Sequence, residues 1–173
     1  PPPLGGGFLF KRYNMRLDHI AYRVANKQDA IEFITMSLGY IIDPDLPEGF
    51  DIQFEDNSKA QCHVLINPTD DRAPEIFISE GTNNSIVSNW VKQNGNGIHH
   101  LAYEVDSVED KMQEWKDRGI EFTTDEPLTC EGLVQIFTKP NPLTGIIYEL
   151  IEREGKGFCR DNVKDLMNST ADS

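Results

Sequence analysis

The sequence has little positive charge and no long apolar run. Lysine and arginine number 16 against 29 aspartates and glutamates, a formal net charge of −13. Such a chain repels phosphate backbones and anionic lipid, so neither nucleic acid nor a membrane is an expected partner. No stretch reaches the ~20 apolar residues that a membrane-spanning helix needs. Cysteine is scarce and odd in number: Cys62, Cys130 and Cys159 show no metal-ligand pairing and no even disulfide framework. They read as reduced thiols in a reducing compartment, which predicts a cytoplasmic protein. The chain begins at proline without an initiator methionine, as a processed form with a removed leader would. What is present suffices for a fold, since 38% hydrophobic residues over 173 positions suits one domain around a shared core.

The opening PPPLGGG reads as part of a flexible leader over residues 1–15. Two stretches then echo each other, RLDHIAYRV (16–24) and GIHHLAYEV (97–105). With His19 set against His100, Ile20 meets Leu101, and Ala21, Tyr22 and Val24 meet Ala102, Tyr103 and Val105. At the same offset Asn26 meets Ser107, each a helix N-cap with an aspartate three residues on, Asp29 and Asp110. Helix-spaced apolar residues follow both caps, and Gly39 and Gly119 are suited to left-handed helix ends. Extended segments come next: Ile41–Ile42, FDIQF, CHVLI and EIFIS in the first copy, IEFTT, LVQIFT and GIIYELIE in the second. The predicted organisation is α+β, with two βαβββ modules over 16–83 and 84–153 forming one domain. A C-terminal helix and tail occupy 154–173.

Alternate side chains of a strand face opposite sides. Ile20, Tyr22 and Val24 form an apolar face under the helix, and His19, Ala21 and Arg23 form the other. In the second copy His100 shares a face with Ala102 and Glu104, while His99 falls on the apolar side with Leu101 and Tyr103. Parity therefore pairs His100 with His19 and leaves His99 as a packing histidine or a neighbour of the ligand. Arg23, on the ligand face, is a candidate to offset an anionic substrate. A salt bridge to Glu104, at the equivalent repeat position, is the stronger expectation for it.

Two histidines related by a duplication can converge on one metal if a carboxylate joins them. GIIYELIER sets Glu149 among apolar residues, where an unpaired carboxylate is costly, and the matching strand PEIFISEG offers Glu75. Two histidines and one carboxylate suit Fe(II) with open positions; a second carboxylate suits Mn, Co, Ni or Zn.

This pattern resembles the vicinal oxygen chelate superfamily over about residues 16–153 and into the tail. The resemblance implies paired βαβββ modules in a half-open mixed β-barrel around a divalent metal. Its ligands would be His19, His100 and Glu149, with Glu75 as an optional fourth. The doublet in GIHHLAYEVDSVED is similar to methylmalonyl-CoA epimerases, in which the second histidine is the ligand. From Asn84 onward, NSIVSNWVKQNGNGIHHLAYEV, GIEF, LVQIFTKP, YELIER and GKGFCRDNVKDL resemble the catalytic C-terminal half of 4-hydroxyphenylpyruvate dioxygenases. That likeness carries over Gln135, Phe137, Phe158 and Asn162 as pocket residues. The chain departs from that family in having no counterpart of its N-terminal half and in a shorter 123–132 connection. It also has Val163 at a second tail phenylalanine and His99 where glutamine is usual.

The dioxygenase likeness implies an Fe(II) enzyme acting on a small 2-oxo acid. Gln135 would hold a polar substrate group, Phe137 would pack on a ring, and the tail helix with Phe158 and Asn162 would exclude water. The epimerase likeness implies a Lewis-acid isomerase using Co, Ni, Mn or Zn on an acyl-CoA or related thioester, with Glu75 as fourth ligand or base. Glyoxalase-type isomerisation belongs to the same class. A non-catalytic ligand-binding protein is a third reading, weakened by the intact ligand set. GFLFKRY (7–13) offers a strand for a homodimer interface.

Overall fold

The computed structural model describes residues 15–173; the expected leader and the 7–13 interface strand lie outside them, save Met15. One curved sheet runs through the whole domain. Its strands are β1 (Arg16–Val24), β2 (Ile41–Ile42), β3 (Phe50–Gln53), β4 (Lys59–Ile66), β5 (Glu75–Gly81), β6 (Gly97–Glu104), β7 (Leu128–Cys130), β8 (Leu133–Phe137) and β9 (Ile147–Arg153). The helices are α1 (Lys27–Leu38), α2 (Ile86–Asn94), α3 (Val108–Asp117) and α4 (Arg160–Ser169). Strand order is β2-β4-β5-β1-β6-β9-β8-β7, with β3 paired to β4. The two halves meet at the antiparallel β1–β6 pair, and each of those strands has a parallel neighbour, β5 and β9 respectively. This is the mixed, incompletely closed sheet of repeated βαβββ-like units that the sequence predicts.

Local chemistry explains the repeat. The Asn26 and Ser107 side chains accept hydrogen bonds from the Asp29 and Asp110 backbone amides at 3.1 and 3.2 Å, satisfying orphan donors at the starts of α1 and α3. Gly39 closes α1 at φ 75°, a conformation that costs a side chain dearly. On the convex side, Ile31 and Ile34 of α1 pack on Leu65, Ile76 and Ile78, and Val108 and Met112 of α3 pack on Ile136 and Leu150. On the concave side, Val163 and Met167 of α4 pack with Ala21, Phe50 and Phe77. Helix α4 thus lies inside the curve of the sheet.

Two expectations fail here. IEFTT adds only an isolated bridge, Phe122 to Thr138, and the edge position goes to β7, inside the stretch read as a connection. Cys130 and Cys159 are not free thiols; they pair as a disulfide with Cα atoms 6.4 Å apart, tying the N-cap of α4 to β7. The pair removes the basis for assigning a reducing compartment. Cys62 alone is a free thiol, and burial pushes it up to about 12, so it is inert. Among the described residues no helix is long and apolar enough to cross a membrane.

Candidate metal centre

His19 on β1, His100 on β6 and Glu149 on β9 meet on the concave face. One ligand atom from each lies within 4.8 Å of the others. Glu149 Oε2 is 3.2 Å from His19 Nε2 and 3.1 Å from His100 Nε2. The sheet itself makes this convergence: Ala21 pairs with His100 across the β1–β6 seam, and Ala102 pairs with Glu149. Ala21 and Ala102 are both buried and small, which leaves room beside the imidazoles.

Each ligand histidine is held by the residue before it. His19 Nδ1 donates to Asp18 Oδ2 at 2.8 Å, and His99 and His100 share a 2.8 Å contact between their Nδ1 atoms. Adjacent strand residues ordinarily point to opposite faces, so these contacts need a local break in the pleat. The register supplies one in each strand: it skips Asp18 between Leu17 and His19 of β1, and His99 between Ile98 and His100 of β6. A bulge turns one extra residue toward its neighbour's side. The repeat therefore duplicates not only the ligand but also the bulge that orients it. This corrects the parity assignment of His99, which faces the metal pocket and not the convex core. Period-2 alternation hides Asp18 in the same way.

Other groups complete the frame. Asp18 Oδ2 also accepts from Arg153 at 2.7 Å, and Asp18 Oδ1 from Arg16 at 2.9 Å. Gln135 donates to Glu149 Oε1 at 2.7 Å and accepts from Asn162 Nδ2 at 3.0 Å, so α4 is linked to the carboxylate ligand through one amide. Phe137 lies 4.6 Å from the His100 ring, and Phe158 lies 5.1 Å from the His19 ring. The cavity left between them is about 30 Å³, room for about two waters.

Glu75 does not join the triad. β1 pairs His19 with Glu75 and Ala21 with Phe77, whereas β6 pairs His100 with Ile147 and Ala102 with Glu149. The repeat equivalent of Glu149 is therefore Phe77, and Glu75 stands two residues off, about 7 Å along the strand. It lines a separate polar groove with Arg16, Asp18 and Arg153. Burial raises its carboxyl, and its Oε2 has no hydrogen-bond partner.

The donor set fits a divalent cation: two imidazole nitrogens and one carboxylate oxygen, with both rings fixed from behind. Without a cation a proton takes its place. Burial disfavours charge on His19, but Glu149 and Asp18 outweigh it and raise the ring to about 9. Burial, opposed by Glu149, lowers His100, while both histidines hold Glu149 well below the usual carboxylate range against the effect of its own burial. At neutral pH only His19 must lose a proton to become a ligand. Metal uptake at pH 7 should release about one proton, and affinity should rise with pH until about 9. Calorimetry of Co(II) binding in buffers of different ionisation enthalpy checks this; zero proton release would contradict it. For the metal-free fold the sign is opposite. The raised His19 contributes stability below about pH 6.5 that is lost as pH rises through about 9.

The sequence profile described as the glyoxalase/bleomycin resistance protein/dioxygenase superfamily matches residues 18–133. No curated protein matches at a significant level. Among solved structures, a hypothetical protein from Bacillus halodurans C-125 is 26% identical, with TM-score 0.63 over 84% of this chain and 99% of that one. A methylmalonyl-CoA epimerase from Mycobacterium tuberculosis is 21% identical, with TM-score 0.62 over 81% and 89%. A mutant 4-hydroxymandelate synthase from Streptomyces coelicolor is 21% identical, with TM-score 0.73 over 90% of this chain and 53% of that one. The last two likenesses, at that identity, concern the fold alone.

Proposed function

Because the chain belongs to the glyoxalase/bleomycin resistance protein/dioxygenase superfamily, we propose that its metal-binding triad serves an Fe(II) dioxygenase acting on a small 2-oxo acid. The observation carrying this reading is the ligand count. Phe77 stands at the repeat position of Glu149, so the described residues offer one face of three ligands and no fourth. Bound Fe(II) would bring open positions for a chelating 2-oxo acid and for O2. The chain's own residues do the rest. Asp18 and His99 fix the rings, and Gln135 fixes Glu149. Phe77, Phe137 and Phe158 make aromatic walls, and α4 closes over them. A substrate larger than two waters requires α4 or Phe158 to move aside, and their return would exclude solvent.

A second reading is an epimerase- or glyoxalase-like isomerase using Co, Ni, Mn or Zn on an acyl thioester. The comparisons alone lean this way: the epimerase of M. tuberculosis is covered over 89% of its length, the synthase of S. coelicolor over 53%. The site leans the other way, because Glu75 lies off the triad and, among the described residues, Glu149 is the one carboxylate lining the pocket.

The test is anaerobic titration of the Fe(II)-loaded protein with 2-oxo acids, followed by O2. The dioxygenase reading expects a visible charge-transfer band and O2 uptake coupled to loss of the acid. Solvent deuterium entering the α-carbon of a thioester without O2 would replace it with the isomerase reading. Protein purified without metal despite its intact ligands would favour a binding protein.

A further inference from the structure

The pocket has a polar end that the triad does not use. Arg23 follows His19 and Ala21 along the inward face of β1 and is 3% exposed. Its expected partner, Glu104, is bonded to Arg16 at 2.7 Å. Arg23 Nη1 is buried with no hydrogen-bond partner, and among the described residues no carboxylate pairs with its guanidinium. The group rests over the Trp90 ring, 5.8 Å from its centroid. His99 packs edge-on against the same ring at 5.5 Å, and its Nε2 is likewise buried and unpartnered.

The proton on that nitrogen follows from the site. With a cation held on His100 Nε2, the hydrogen of that ring would sit on Nδ1 and donate to His99 Nδ1. His99 must then carry its own hydrogen on Nε2. Two N–H donors, one of them cationic, thus line the same pocket with nothing to receive them. A buried guanidinium without a counter-ion is a costly thing for a fold to keep. Burial pulls it down to about 9, which leaves it charged at neutral pH.

We infer that Arg23 and His99 form an anion subsite in the triad pocket, and that the substrate is a small acid bearing a second carboxylate remote from its chelating oxygens. The anion subsite stands on Arg23 and His99 alone; the chelating end rests on the function proposed above. Arg23 is four residues from His19, about 13 Å between Cα atoms along a strand, so the two ends of one small molecule are separately held.

The test uses Co(II)-loaded protein and 2-oxo diacids of four to six carbons, each paired with the monoacid that ends in methyl. At least one diacid should bind wild type tenfold or more tightly than its monoacid. Arg23→Met should erase that preference and leave monoacid affinity within about twofold. Free of ligand, the variant should melt at the same or a higher temperature, because an uncompensated buried charge is gone. His99→Gln, which keeps an amide donor, should retain part of the preference, and it carries the test should Arg23→Met fail to fold. Equal binding of every pair by wild type, or equal loss of both acids in Arg23→Met, overturns the inference. Saturated diacids that raise the melting temperature of wild type but not of Arg23→Met, with nothing gained from the 2-oxo group, would keep the anion subsite and defeat the chelation reading instead.

Discussion

Replacing Glu149 with glutamine is expected to abolish metal binding while leaving a folded protein. The carboxylate is 1% exposed, and its Oε2 sits within 3.2 Å of both ligand nitrogens. An amide of the same shape can still meet Gln135 and the imidazoles, but it brings no charge to a divalent cation. The loss in Co(II) affinity should exceed the roughly 10–100-fold that follows removal of a ligand's outer hydrogen-bond partner. Glu149 is also the main carboxylate that raises His19, so the E149Q imidazole should titrate well below about 9. The fold survives because His19 can then stay neutral, and no buried charge is stranded. Calorimetry with Co(II), and the His19 ring signal followed against pH by NMR, measure the two effects. Wild-type affinity in E149Q would mean that the cation binds elsewhere.

Removing Asp18 should hurt stability more than any other single change at the centre. Its side chain is 4% exposed and meets three positive or proton-bearing groups: His19, Arg153 and Arg16. Asp18→Ala strands the Arg153 guanidinium, whose side chain is 7% exposed, and frees the His19 ring to rotate. Breaking a buried pair from one side costs about 3–5 kcal/mol, a large share of a typical domain's stability. Loss of the ring's orienting acceptor adds a fall in metal affinity of roughly 10–100-fold. Asp18→Asn should recover part of the metal affinity, since an amide oxygen still accepts from Nδ1, but little of the stability, since the charge is gone. Urea unfolding of the metal-free variants, set beside their Co(II) affinities, separates the two losses. An Asp18→Ala protein as stable as wild type would show that the Arg16–Asp18–Arg153 cluster is surface-like in energy.

The triad was legible in the sequence because the duplication wrote it twice. His19 and His100 share caps, alanines and aromatic residues at one offset, and Glu149 sits in a run too apolar to tolerate an idle carboxylate. What stayed hidden depends on register and on contacts across the chain. Parity presumes an unbroken pleat, and the bulges at Asp18 and His99 break it at the two residues that matter most. Period-2 patterning cannot tell a strand from the same strand slid by two residues, which is why Glu75 looked equivalent to Glu149 when Phe77 is. The Cys130–Cys159 pair joins positions 29 apart through a turn of β7 that has no strong strand signal of its own. Arg23 was legible as a face but not as an unpaired charge, because only the fold shows Glu104 committed to Arg16.

The central claim is that each bulge delivers one residue to hold and the next to bind. Side-by-side Co(II) titration of His99→Ala and His100→Ala tests it most directly. Wild type should bind one cation per chain, His99→Ala should keep the site weakened roughly 10–100-fold, and His100→Ala should show no measurable binding. Normal binding by His100→Ala, with loss in His99→Ala, would contradict it.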